Sequence, residues 1–70
     1  MRKWLQQARE DNNLTQQQVA EAIHVSESYY SFIESGKRQK KMDVALAAKL
    51  SVVFNIPVEQ IVELEAKEED

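Results

Sequence analysis

The sequence predicts an all-α fold, a compact bundle of five short helices, on three observations. Its 70 residues include one glycine and one proline, so few positions interrupt a helix. Apolar residues recur at spacings of three and four rather than in strict alternation, which is the period of a helix face. Thr15, Ser26 and Asp43, residue types that start helices, each stand just ahead of such a stretch.

The first helix is expected over Arg2 to Asn12, with Trp4, Leu5 and Ala8 on its inner side. Asn13 suits the left-handed residue that follows, because asparagine tolerates positive φ, and Leu14 then turns inward. Thr15-Gln16-Gln17-Gln18 has the form of a capping box, in which the threonine hydroxyl accepts from the backbone three residues on and Gln18 reaches back. The second helix therefore starts here, carries Val19, Ala20 and Ile23 on one face, and stops near His24. A third follows at once, capped by Ser26, with Tyr30 and Ile33 as its buried stripe and Gly36 as the left-handed residue that ends it. Asp43 caps a fourth helix, with Val44, Ala47, Leu50, Ser51 and Phe54 facing in and Asn55 closing it. Pro57 opens a fifth through about Leu64, since proline is favoured in a first turn where its missing N–H costs nothing. Residues 65–70 read as an acidic, frayed tail after a single domain of residues 1–64.

A chain of this length holds one domain at most and buries a modest share of its surface, so the core must come from efficient helix packing. Without cysteine there are no disulfide staples or thiolate ligands, and the single histidine, His24, does not make a zinc site. No metal and no small-molecule cofactor are expected. No run approaches the roughly 18 apolar residues that span a bilayer, and the start, MRKWLQQARE, turns polar too soon for a signal peptide. The expectation is a cytoplasmic protein with no membrane partner.

The net charge of −3 argues at first against nucleic acid, whose partners carry a basic footprint. Its distribution weakens that argument. Met1 to Ile56 carry eight Lys or Arg against six Asp or Glu, a net of +2, whereas Pro57 to Asp70 carry one lysine against six acids, a net of −5. Four of the basic residues fall in Lys37-Arg38-Gln39-Lys40-Lys41, so one face can be basic on an acidic molecule.

The informative feature is the pair of short helices joined by a tight turn over about residues 16–35, a helix-turn-helix. That geometry holds one helix across the phosphates while the next lies in the major groove. Counted from Gln16, apolar residues occupy the fourth, eighth, tenth, fifteenth and eighteenth places (Val19, Ile23, Val25, Tyr30, Ile33), and Ala20 at the fifth lets the second helix approach closely.

The segment LTQQQVAEAIHVSESYYSFIESGKR resembles the helix-turn-helix family of phage Cro and cI repressors, the XRE family, and the likeness runs from about Lys3 to Leu64. Its strongest parts are Leu14-Thr15-Gln16, Val19-Ala20, Ile23, Val25-Ser26 and Ile33-Glu34-Ser35-Gly36-Lys37, with NIPVEQI similar to the family's fifth-helix opening. The resemblance implies a lambda repressor-like DNA-binding domain of five helices, bacterial or phage-derived, that binds a pseudo-palindromic operator in double-stranded DNA as a homodimer. Two positions depart from the pattern. His24 stands where the family usually has glycine, at a turn whose backbone can need positive φ. Glu27 opens the third helix where Gln or Arg is common; a carboxylate there is repelled by phosphates but can accept from cytosine N4.

Carried over position by position, the resemblance implies base contacts from Glu27, Ser28 and Phe32, the last suited to a thymine methyl. It implies phosphate contacts from Gln16, supported by Gln17, and from Tyr29, Lys37, Arg38 and Lys40. Arg9 and Glu34 match positions that form a structural ion pair in some relatives. Val58, Ile61, Val62 and Leu64 of the fifth helix exceed what one small core obviously needs and are assigned to the dimer interface.

The bland readings compete residue by residue. His24 is read as a turn residue rather than a catalytic base, since neither a nucleophile nor an orienting group accompanies it. Tyr30 and Trp4 are read as core, the tyrosine needing a partner for its hydroxyl. The expected function is a DNA-binding transcriptional regulator, most simply a repressor, because occupancy alone suffices to block a promoter. A protein-interaction module on the same fold, antitoxin-like or an adaptor, is the alternative that Phe32 and Glu27 favour. An enzyme is not expected: no glycine-rich phosphate loop and no nucleophile-base pair is present.

Overall fold

A computed structural model describes residues 1–36 and 42–68. Five helices follow in the order α1 (Lys3–Asp11), α2 (Gln16–Ala22), α3 (Glu27–Ser35), α4 (Val44–Phe54) and α5 (Val58–Glu68), with no strand among the described residues. The radius of gyration is 10.9 Å, close to the roughly 11 Å expected of one domain of this size.

The starts predicted at Thr15, Ser26 and Asp43 are each built by the side chain that announces them. Thr15 Oγ1 accepts from Gln18 N at 3.1 Å while Thr15 N donates to Gln18 Oε1 at 2.8 Å, a complete capping box. Ser26 Oγ accepts from Tyr29 N at 3.1 Å, and Asp43 Oδ1 from Leu46 N at 2.7 Å. The helix ends are equally local. Asn13, His24, Gly36 and Asn55 all have φ between 57° and 64°, in the left-handed region. At three of these exits the next residue's N–H reaches back five positions to a carbonyl in the last turn: Leu14 to Arg9 at 3.1 Å, Val25 to Ala20 at 3.0 Å and Ile56 to Ser51 at 3.1 Å. Leu14, Val25 and Ile56 then pack against the core, so each short helix is closed by one polar left-handed residue and one apolar residue behind it.

The core draws on every helix. Trp4, Leu5 and Ala8 of α1, Val19 and Ala20 of α2 with Ile23 just beyond it, Tyr30 and Ile33 of α3, Ala47, Leu50 and Phe54 of α4, and Ile61 of α5 are buried in one cluster. Burying a side chain of the Leu, Ile, Val or Phe class is worth about 1.5–3 kcal/mol, so no single residue carries the fold.

Two sequence expectations are corrected here. Val44 does not face in; it is 82% exposed, because it is the first residue of α4 and the core at that end is closed by Met42 and Leu46. The fifth helix does not stop at Leu64 with a frayed tail behind it but continues to Glu68, its last turns held by hydrogen bonds from Arg2 and Trp4 to Glu65. Among the described residues no single helix is long and apolar enough to cross a membrane.

Candidate nucleic-acid interface

The turn between α2 and α3 is set by His24, at φ 64°, and by the bond from Val25 N to Ala20 O. Ala20 is buried with no side chain beyond Cβ, which lets α3 pass close over α2. Once α3 is seated, its faces divide. Tyr30, Ile33 and Glu34 are buried; Glu27, Ser28, Tyr29, Ser31 and Phe32 are exposed. The three side chains expected to reach bases, Glu27, Ser28 and Phe32, therefore share the outer surface of one short helix. Phe32 is 40% exposed and Tyr29 50%, large values for aromatic residues on a helix whose other face is packed. Ser31 joins this surface as well. It lies four residues after Glu27 and three after Ser28, a spacing that places them as neighbours on a helix and was the signal available to find it.

Behind this face Glu34, 3% exposed, ties three helices together. Arg9 of α1 donates from Nε to Glu34 Oε2 at 2.8 Å and from Nη2 to Oε1 at 3.3 Å. Gln16 of α2 donates to Oε1 at 2.7 Å, and the Tyr30 hydroxyl donates to Oε2 at 3.0 Å. The remaining guanidinium nitrogen of Arg9 donates to Leu14 O at 3.0 Å. Burial pushes the Glu34 carboxyl up, but the hydrogen bonds from Arg9, Gln16 and Tyr30 outweigh it and leave it below the ordinary carboxylate range. The hydrogen bond to Glu34 raises Arg9, and burial, followed by the nearby carboxylate, pushes the Tyr30 phenol up. No buried side-chain polar atom among the described residues lacks a partner.

Other candidate residues fall in different places. One amide proton of Gln16 is committed to Glu34, a role the sequence reading missed, which leaves the second for an outside partner. Gln17 is exposed, with its amide 3.5 Å from Glu21. Lys37, Arg38 and Lys40 lie outside the described residues. Of the four residues assigned to a dimer interface, Ile61 is 1% exposed and belongs to the core, and Leu64, three residues on, is half-buried against it. For Ile61 that is a correction: it turns inward where α5 closes the bundle, with Leu64 packed partly beside it. Val58 and Val62 are on the surface.

A short capped helix, a tight left-handed turn and a second helix with one face packed and the other presented to solvent define a helix-turn-helix protein of the DNA-binding kind. The helix-turn-helix family model matches residues 5–61, most of the chain. The chain is 35% identical over 63 residues to an uncharacterized HTH-type transcriptional regulator, YqaF, of Bacillus subtilis (strain 168), a match covering 87% of this chain and 83% of that protein. No solved structure matches it. The chain belongs to the XRE-type helix-turn-helix family.

Proposed function

We propose that this protein is a dimeric transcriptional repressor that occupies a pseudo-palindromic site in double-stranded DNA through the outer face of α3. The observation that carries the reading is the division of that helix: Tyr30, Ile33 and Glu34 hold it down, so Glu27, Ser28 and Phe32 stand outward together at a contact surface. In this reading Ser28 hydrogen-bonds a base edge, Phe32 meets a thymine methyl and Glu27 accepts from cytosine N4. Gln16, Gln17, Tyr29, Lys37, Arg38 and Lys40 hold the flanking phosphates. The name of the Bacillus relative supports regulation of transcription. Repression is the simpler mode of regulation, because occupancy of a promoter site suffices for it. Exposed Val44, Val52, Val58 and Val62 on α4 and α5 support association of two copies there, and in a family-like dimer the two recognition helices lie about 34 Å apart, one turn of DNA.

Selection from a randomised duplex library, followed by titration of the winners with wild type, Ser28→Ala and Phe32→Ala, tests this. A palindrome whose base preference relaxes in the two variants, with affinity falling log-linearly with salt, is the expected result. A folded protein that enriches no duplex sinks it.

One observation favours a second reading as a protein-interaction module. Tyr29 and Phe32 also line a surface groove with Ile33, Met42 and Leu46 and with the charged Arg2 and Asp43, and the exposed aromatic pair is suited to a partner's apolar side chains. An interface of that kind responds little to salt.

A further inference from the structure

The first two residues of the chain lie across the end of α3. The backbone N–H of Arg2 donates to Glu34 O at 2.8 Å, and its guanidinium donates through Nη1 to Ile33 O, so two carbonyls in the last turn of α3 are capped from outside the helix. A cation at a helix C-terminus also sits where the helix dipole favours it. The same guanidinium donates from Nε to Glu65 Oε2 at 2.7 Å, and Trp4 Nε1 donates to that oxygen at 2.8 Å. Both members of the ion pair are largely covered, at 13% and 22% side-chain exposure. Glu65 stands near the end of α5, where the dipole disfavours a carboxylate, so its place there is held by the donors that meet it. Gly36 has φ 59°, and a Cβ there would lie 3.5 Å from Arg2, so the N-terminal residues are seated closely on the exit of α3.

From this geometry we infer that Glu65 and Arg2 are positioning residues: α5 sets the pose of the recognition helix through Arg2, without either side chain touching DNA. The inference rests on the reading of α3 as the DNA-contacting helix. It gives the acidic end of α5 a task that charge alone does not suggest. Mechanically, whatever α5 packs against is linked through one carboxylate and one guanidinium to the last turn of α3.

The test uses the full chain with Glu65→Ala, the gentler Glu65→Gln, and Arg2→Lys, which keeps the charge but not the planar fork that reaches two acceptors at once. Hydrogen exchange needs no DNA. The expected result is faster exchange at the amides of Ile33 to Gly36 in Glu65→Ala, with Val19 and Ile23 unchanged. Equal loosening of all these amides overturns the inference, because it reports general destabilisation. On the selected duplex, the preference over unselected DNA is expected to fall about threefold to tenfold in Glu65→Ala, with the salt slope preserved and a partial return in Glu65→Gln. In a further variant that removes the charge, Arg2→Gln, a salt slope reduced by about one overturns it by showing that Arg2 meets a phosphate itself. Unchanged preference in a less stable protein also overturns it. If the wild type enriches no duplex, the DNA reading fails separately, and the link between α5 and α3 stands or falls on exchange at Ile33 to Gly36.

Discussion

Glu34 is a charge kept from water, and it is tolerable there because each of its oxygens meets two donors. Removing the charge while keeping the shape, as in Glu34→Gln, leaves the Arg9 guanidinium without its counter-ion and is expected to cost about 2–4 kcal/mol. Because the folded carboxyl lies below its ordinary range, the stability it supplies is present above the unfolded value and is lost as pH falls through the folded one. Urea denaturation from neutral to acid pH should therefore show a steeper acid decline in the wild type than in the variant; parallel curves would show that Glu34 is not the titrating group. His24 is the opposite kind of residue, exposed but held at positive φ, where a side chain with a Cβ is strained. His24→Gly releases that strain but adds freedom to the unfolded chain, leaving a net gain of about 0.5–1 kcal/mol, seen as a rise in Tm of a few degrees. A fall in Tm would mean that the imidazole makes a contact of its own.

Helices of seven to eleven residues are too short to persist alone, so their ends matter as much as their faces. Ser26→Ala removes the side-chain acceptor at the start of α3 and should cost about 1 kcal/mol in chemical denaturation, with Glu27 and Ser28 the first residues to loosen. A full-cost loss of stability with no faster exchange in the first turn would show that the hydroxyl acts elsewhere. These ends were legible because they are local: Asn13-Leu14, His24-Val25 and Asn55-Ile56 each write a left-handed residue followed by an apolar one. The outer face of α3 was legible too, since placing Tyr30 and Ile33 inward leaves Ser28 and Phe32 outward. What lay between elements was less so. The bridge from Arg2 to Glu65 joins residues 63 apart and leaves no periodic trace. In α5 apolar residues at 58, 61, 62 and 64 offer two stripes, and only the way the helices pack together decides that Ile61 and Leu64 turn inward. Gln16 was assigned outward because its place in the motif suggested a phosphate; its bond to Glu34 depends on how three helices meet.

At the scale of the whole molecule, α4 and α5 expose Val44, Val52, Val58 and Val62 while the candidate DNA face belongs to α3. Val52 is 81% exposed and Val62 59%, and α4 is apolar on nearly every side, a composition expected of a helix that is covered. Val62→Glu places a charge on that surface without touching the core. Sedimentation of the variant should shift from dimer to monomer, and binding to a two-half-site duplex should weaken far more than binding to one half-site. A variant that still sediments as a dimer would move the interface away from α5.

The separation of the two faces of α3 bears on how such a protein changes over time. Residues at 27, 28 and 31 are exposed and outside the core, so substitutions there are expected to change stability by no more than about half a kcal/mol each. On the proposed reading of α3, a lineage can therefore exchange one target for another by drifting across a handful of surface codons, while Tyr30, Ile33 and Glu34 keep the scaffold in register.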